Sequence, residues 1–169
     1  QTLVYDAATS LWQITTTAAS HQARTLLVAA GSSPQMGRLL EDLGHQMVAP
    51  VPSLFTFHIQ DPRLEGLMGL SAEVSLRVLD PQGHPTKPLV HTAGPLLITH
   101  WGVSGPAVLK ASAWGARVMA DWRYNFSIEV NWLPQHNLDS AALVLAEFAG
   151  QEAKKSMSNH PFGTLPKRL

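Results

Sequence analysis

The sequence predicts an α+β fold, mainly antiparallel, and three observations carry that prediction. Residues 72–78 and 123–132 alternate apolar and polar side chains with strict period two, as half-buried strands do. Residues 35–43 and 141–155 instead space their apolar side chains at helical intervals. Residues 24–30 form a third kind of segment, a short apolar run without alternation, which suits a strand buried on both faces of a parallel sheet.

In chain order, Leu3 and Tyr5, then Leu11, Gln13 and Thr15, mark two short strands joined by a turn at residues 6–10. The apolar run at 24–30 is the third strand. Gly31, Ser32 and Ser33 follow at its carboxyl end, the edge where open α/β sheets hold ligands. An ordinary strand-to-helix turn is the plainer explanation of the same residues. In the helix over 35–43, Met36, Leu39, Leu40 and Leu43 share a face, and Gly44 is a suitable stop. Pro50 and Pro52 extend the chain toward a strand at 54–57. A turn at Gly66 and Gly69 leads into the strand at 72–78. Asp80-Pro81-Gln82-Gly83 reverses the chain.

Residues 96–100 read as another strand. Trp101 to Pro106 then turn into a helix, with Ser104 as N-cap and Pro106 in the first turn, where a missing N–H costs nothing. This helix runs to about Met119 with an interruption at Gly115. In the strand at 123–132, Tyr124, Phe126, Ile128, Val130 and Trp132 face one way. The last helix is capped by Asn137 or Asp139, and its terminal lysines suit the helix dipole. A shift in composition between Ser33 and Pro52 marks a domain boundary, placed after Ser33.

Composition narrows the function classes. Twelve Lys and Arg balance twelve Asp and Glu, so the expectation is no nucleic-acid binding by counterion release. The absence of cysteine excludes thiolate metal sites and a cysteine nucleophile. Eight scattered histidines form no H-x-H or H-E-x-x-H motif, so no metal site is expected. Charged residues are only 14% of the chain, well under the ~25% of ordinary soluble domains, which points to a surface made to face other protein. Residues 89–109, free of Asp, Glu, Lys and Arg, hold two histidines, two prolines and three glycines and are no membrane span. With no secretory signal visible either, a cytoplasmic location is expected. The chain opens on Gln1 in strand-like sequence and ends on Pro166-Lys167-Arg168-Leu169 without a stop signal, so a fragment of a longer protein is expected.

The chemistry-bearing segment is Thr99-His100-Trp101-Gly102-Val103-Ser104-Gly105-Pro106. Gly102-Val103-Ser104 resembles the start of a hydrolase nucleophile elbow, but Pro106 stands where the elbow needs glycine. A capping serine on a glycine turn accounts for Ser104 without catalysis. Free N–H groups at the start of a helix nevertheless make an anion or carbonyl site. A histidine four residues earlier adds an imidazole to the same turn. His100, Gly102, Ser104 and Gly105 are therefore the candidate substrate-pocket residues, with no catalytic residue assigned. Neither G-x-G-x-x-G nor G-x-x-x-x-G-K-[ST] occurs.

Several strings in fixed order resemble one family. They are Leu27-Val-Ala-Ala-Gly-Ser-Ser33, Leu43-Gly-His45, Pro52-Ser-Leu-Phe55, Gly66-Leu-Met-Gly-Leu-Ser71, Leu97-Ile-Thr-His-Trp-Gly-Val-Ser-Gly-Pro-Ala-Val-Leu109 and Leu165-Pro-Lys-Arg-Leu169. Their order is similar to that of the BaiN-like NAD(P)/FAD-dependent bacterial flavoproteins. The resemblance implies an FAD-binding Rossmann-like domain interrupted by an insert made of a small β-barrel and a helical piece. Residues 1–33 would be terminal strands of the first FAD segment, and 34–169 the insert. Gly31 and Ser32 would lie near the cofactor, although the glycine-rich loop usual after that strand is shortened here. The resemblance further implies an insert that covers the flavin, shapes the pocket for an unidentified small molecule and docks on the FAD domain of the same polypeptide. Such a piece would hold no FAD and show no activity alone. A stand-alone protein-interaction or ligand-binding module is the competing expectation.

Overall fold

The computed structural model describes residues 2–85, 90–152, 161–163 and 165–169. It divides into two compact units, Gln1–Pro50 and Val51–Leu169. The boundary expected after Ser33 falls inside the first unit, at the N-cap of its helix.

The first unit holds a three-stranded antiparallel sheet, β1 (Thr2–Asp6), β2 (Leu11–Thr15) and β3 (Ser20–Ala23), followed by α1 (Pro34–Asp42). Asp6 closes the β1–β2 turn by accepting from the Ala8 N–H at 2.9 Å and the Thr9 hydroxyl at 2.8 Å. Ser33 caps α1 by accepting from the Met36 N–H, and Gly44, at φ +89°, ends it as its sequence requires. The structure corrects one expectation here. Residues 25–30 form no strand, and Leu27 is 86% exposed. A fully apolar strand needs paired neighbours and cover on both faces. The described strands of this unit are antiparallel, and the third is Ser20–Ala23.

The second unit is built on a curled five-stranded antiparallel sheet. Its strands are β4 (Phe57–His58), β5 (Ser71–Leu79), β6 (His91–Thr99), β7 (Gly102–Ser104) and β8 (Ser127–Asn131), in spatial order β4-β7-β6-β5-β8. The alternation in 72–78 works as its period demands: Val74, Leu76 and Val78 are fully buried, while Glu73, Ser75 and Arg77 face outward. Leu96 and Ile98 on β6 and Val103 on β7 continue the same inner face. On the outer face Arg77 pairs with Glu129, its register partner on β8, and the Ser75 hydroxyl meets His91 Nε2 at 2.6 Å.

Helices α2 (Pro106–Trp114) and α3 (Ala116–Asp121) cover the inner face with Ala107, Val108, Ala111 and Met119. Two buried hydroxyls tie α2 to the sheet and to the segment just before β4. Thr92 donates to the Ala107 carbonyl at 2.8 Å; Ser112 accepts from the Phe55 N–H at 3.0 Å while donating to the Leu109 carbonyl. The last helix, α4 (Leu138–Gln151), starts at an Asn137 capping box with Ser140. Its expected last residues, Lys154 and Lys155, lie outside the described residues. Among the described residues no helix is long and apolar enough to cross a membrane.

The strand expected over 123–132 is shorter, Ser127–Asn131. Arg123 and Tyr124 take φ of +53° and +60° and close α3 instead, through N–H bonds to the Ala120 and Met119 carbonyls. The apolar stripe survives that change. Phe126 stacks edge-on against Phe57 at 5.0 Å between centroids, and Tyr124 against Phe55 at 5.7 Å. These contacts bring the two edge strands of the sheet toward each other, giving the α+β, barrel-like architecture that the sequence led us to expect.

Candidate functional site

The segment from Thr99 to Pro106 is a tight hairpin that feeds a helix. Thr99 pairs with Gly102, leaving His100 and Trp101 as its two-residue tip. The Trp101 N–H donates to the Thr99 hydroxyl, and the Trp101 carbonyl accepts from the Ile59 N–H at 2.8 Å. His100 and Trp101 are exposed, Trp101 by 70%. Ser104 belongs to β7, opposite Leu97, and does not cap α2. That is a correction: Gly105, at φ +96°, is the N-cap, and α2 has no side-chain cap. Pro106 occupies the first turn as expected.

The two glycines have a structural reason to be glycine. A Cβ on Gly102 would lie 2.3 Å from the Phe57 carbonyl oxygen and 2.5 Å from the Ile59 nitrogen. On Gly105 it would lie 2.7 Å from the Pro95 carbonyl oxygen. The chain's own backbone fills the space a ligand cradle would leave open. His100, Gly102, Ser104 and Gly105 are thus gathered by one hairpin, and none of them lines the groove described next.

That groove, with a volume of about 1130 Å³, opens between β4 and β8. Its apolar wall includes Phe55, Phe57, Phe126, Ile128, Val130 and Trp132, and Asp61, Arg63 and Glu129 add charge. Asp61 accepts from both the side chain and the backbone N–H of Arg63. The guanidinium bonds first, then that N–H, hold its carboxyl down at about 2. The alternating stripe in 123–132 was the sequence signal for this wall. Nothing in the sequence marked its far side, because residues 54–59 lie some seventy positions earlier in the chain.

Gly31 and Ser32 stand in an exposed turn of the first unit. Gly31 is at φ +61°, and nothing lies within 4 Å of where its Cβ would be. An exposed turn without a dinucleotide fingerprint is no pyrophosphate cradle. Gly31 and Ser32 alone do not fit the pyrophosphate of FAD, and residues besides them would have to hold its nucleotide.

A curled antiparallel sheet covered by helices, with an apolar groove beside its edge strands, defines an α+β, barrel-like domain. The comparisons place that domain: the chain belongs to the HI0933-like family, whose barrel and H2TH domain matches residues 51–169, the whole of the second unit. The family is flavoprotein-related and agrees with the resemblance drawn from the sequence. A protein of Haemophilus influenzae named ribosomal RNA dihydrouridine synthase is 32% identical over 128 residues. The match covers 70% of this chain and 28% of that relative, so this chain corresponds to under a third of the relative's length.

Proposed function

We propose that the second unit is the substrate-side insert of an FAD-dependent oxidoreductase, covering a flavin held by a Rossmann-like domain of the same polypeptide and shaping the pocket. The observation that supports this most directly is the match of the barrel and H2TH domain to residues 51–169, within a flavoprotein-related family. The low charge content is in keeping with a face docked on another domain. When bound, the flavin supplies the redox chemistry. The insert's own residues supply a wall that excludes water, from Phe57, Phe126 and Val130, and the exposed hairpin tip at His100.

The relative's name extends the proposal to a substrate class, a uridine of ribosomal RNA reduced to dihydrouridine. With twelve basic and twelve acidic residues, this chain does not supply the charge that grips RNA phosphates, which then belongs to the rest of the protein. A stand-alone interaction module is the competing reading, favoured by the exposed Trp101 and Leu27.

The test starts from the gene that encodes this chain. Its product is expected to purify yellow with bound flavin, and the 169-residue chain alone to purify colourless and to take up no FAD at micromolar concentration. Ribosomal RNA from cells lacking the gene is expected to lose a dihydrouridine that the gene restores. A colourless whole product would sink the oxidoreductase; unchanged RNA from a yellow one would remove the RNA substrate only.

A further inference from the structure

Net neutrality conceals an uneven distribution of charge. Residues 81–120 contain no Asp or Glu, and this stretch includes β6, β7, α2 and most of α3. Of the elements packed on α2, namely β5, β6, β7 and α3, the acids are Glu73 and Asp121. Glu73 faces outward on β5, on the side of the sheet away from the helices, and Asp121 is the last residue of α3. The solvent side of α2 carries no acid of its own.

Three exposed side chains recur on that side at helical spacing. Lys110 and Trp114 are four residues apart on α2, and Arg117 follows three residues later on α3. The helical ladder crosses the junction, with the Gly115 N–H on the Ala111 carbonyl at 2.8 Å and the Met119 N–H on the Gly115 carbonyl at 2.9 Å. The two helices thus keep one exposed face. Packing fixes its direction, because Ala107, Val108, Ala111 and Met119 hold the opposite face in the core. Trp114 is 69% exposed, and among the described residues Lys110 enters no ion pair.

The chemistry of the stripe says what it suits. An indole standing in water is a platform for a flat base, and ammonium and guanidinium groups suit phosphate. Seven residues at 1.5 Å put Lys110 and Arg117 about 10 Å apart along the helix axis, with Trp114 between them. The core of a protein interface is depleted of charge, whereas the exposed neighbours of this indole, one turn either way, are both cations. We propose that the exposed face of α2 and α3 binds single-stranded RNA, with a base stacked on Trp114 and the flanking phosphates at Lys110 and Arg117. Two cations add little counterion release, so most of the attraction for phosphate stays with the rest of the protein. What this face contributes is a base contact.

The proposal rests on the RNA substrate proposed above, and the test separates the two. Binding of a single-stranded oligouridylate of about twelve nucleotides is followed by fluorescence anisotropy on the whole gene product. Trp114→Ala is expected to weaken binding about tenfold, and Trp114→Phe, which keeps an aromatic face, by less than about threefold. Lys110→Gln is expected to flatten the slope of log affinity against log salt by about 0.7. Both positions are exposed, so urea midpoints are expected to match the wild type; if Trp114→Ala lowers its midpoint, Trp114→Phe and Lys110→Gln decide. Equal affinity of wild type and Trp114→Ala overturns the proposal, as does no binding of the oligouridylate. Self-association of the wild type that Trp114→Ala abolishes, with RNA binding unchanged, also overturns it, by assigning the face to a second copy. Dihydrouridine in ribosomal RNA is read with the same variants. RNA held through Trp114 with no dihydrouridine formed fails only the reaction; dihydrouridine formed by a protein whose affinity ignores Trp114→Ala fails only this proposal.

Discussion

Gly102 sits where no side chain fits. Its φ of +141° is rarely taken by other residues, and a methyl group there would overlap the backbone of the neighbouring β4 strand at 2.3 Å and 2.5 Å. Neither contact is with a flexible side chain, so relief means moving a strand. Gly102→Ala is expected to destabilise the protein by about 3 kcal/mol, from strain and overpacking together. Gly66 has φ +75° but open space around it, so Gly66→Ala costs only about 1 kcal/mol of backbone strain. Urea midpoints of the two variants measure the difference, and equal losses would mean that the close approach at Gly102 does not matter. Asp61 gives the second prediction at this scale. Its carboxyl titrates at about 2 because Arg63 bonds the charged form. A depressed carboxylate adds stability that is complete above its ordinary value of about 4 and lost as pH falls toward 2. Arg63→Ala is expected to bring the Asp61 midpoint, followed by carboxyl-carbon NMR, back toward the ordinary aspartate range. A midpoint that stays near 2 would show that the pair is not its cause.

Among the elements, those made by local chemistry were legible from sequence, and those made by distant partners were not. The alternation Val74, Leu76, Val78 needs only a one-sided core, and it appears as written. Gly44 and Pro106 bound their helices because caps and stops act within a few residues. The run at 25–30 failed because a buried strand is defined by its neighbours, and the composition of the run alone cannot supply them. Ser104 failed more subtly: the pairing of β7 with β6 claimed it for the sheet and moved the cap one residue on. The candidate site followed the same division. The hairpin at His100 was visible as a motif, whereas the groove needs Phe57 and Phe126 to meet across the fold. The last helix offers a test at this scale. Asn137 accepts from the Ser140 N–H at 2.8 Å, and the Ser140 hydroxyl accepts from the Asn137 N–H at 3.0 Å. Asn137→Ala removes both the cap and the fixed geometry of the box and is expected to cost about 1 kcal/mol. That loss should appear as faster amide exchange in the first turn of α4, with the core strands unchanged. Uniform acceleration across the sheet would show that α4 is not an independently fraying element.

Over the whole molecule, burial is distributed very unevenly between the two units. Every fully sheltered side chain of the core, from Phe57 to Met119, belongs to Val51–Leu169. No described residue of Gln1–Pro50 reaches the buried class, and α1 buries none of its side chains. A unit of fifty residues is already at the size where a core alone rarely suffices, and this one leaves Leu27 and Val48 in solvent. The second unit, by contrast, has a continuous core joining sheet and helices, with Thr92 and Ser112 satisfied inside it. Residues 51–169 expressed alone are therefore expected to unfold in one cooperative transition, with a urea midpoint close to that of the 169-residue chain. Residues 1–50 alone are expected to show no cooperative transition, because the entropy of ordering them is not offset by burial. Circular dichroism against urea on the three chains decides the matter. A cooperative transition in the fifty-residue piece, or collapse of the 51–169 piece, would mean that the stability of the molecule does not lie where its buried side chains are.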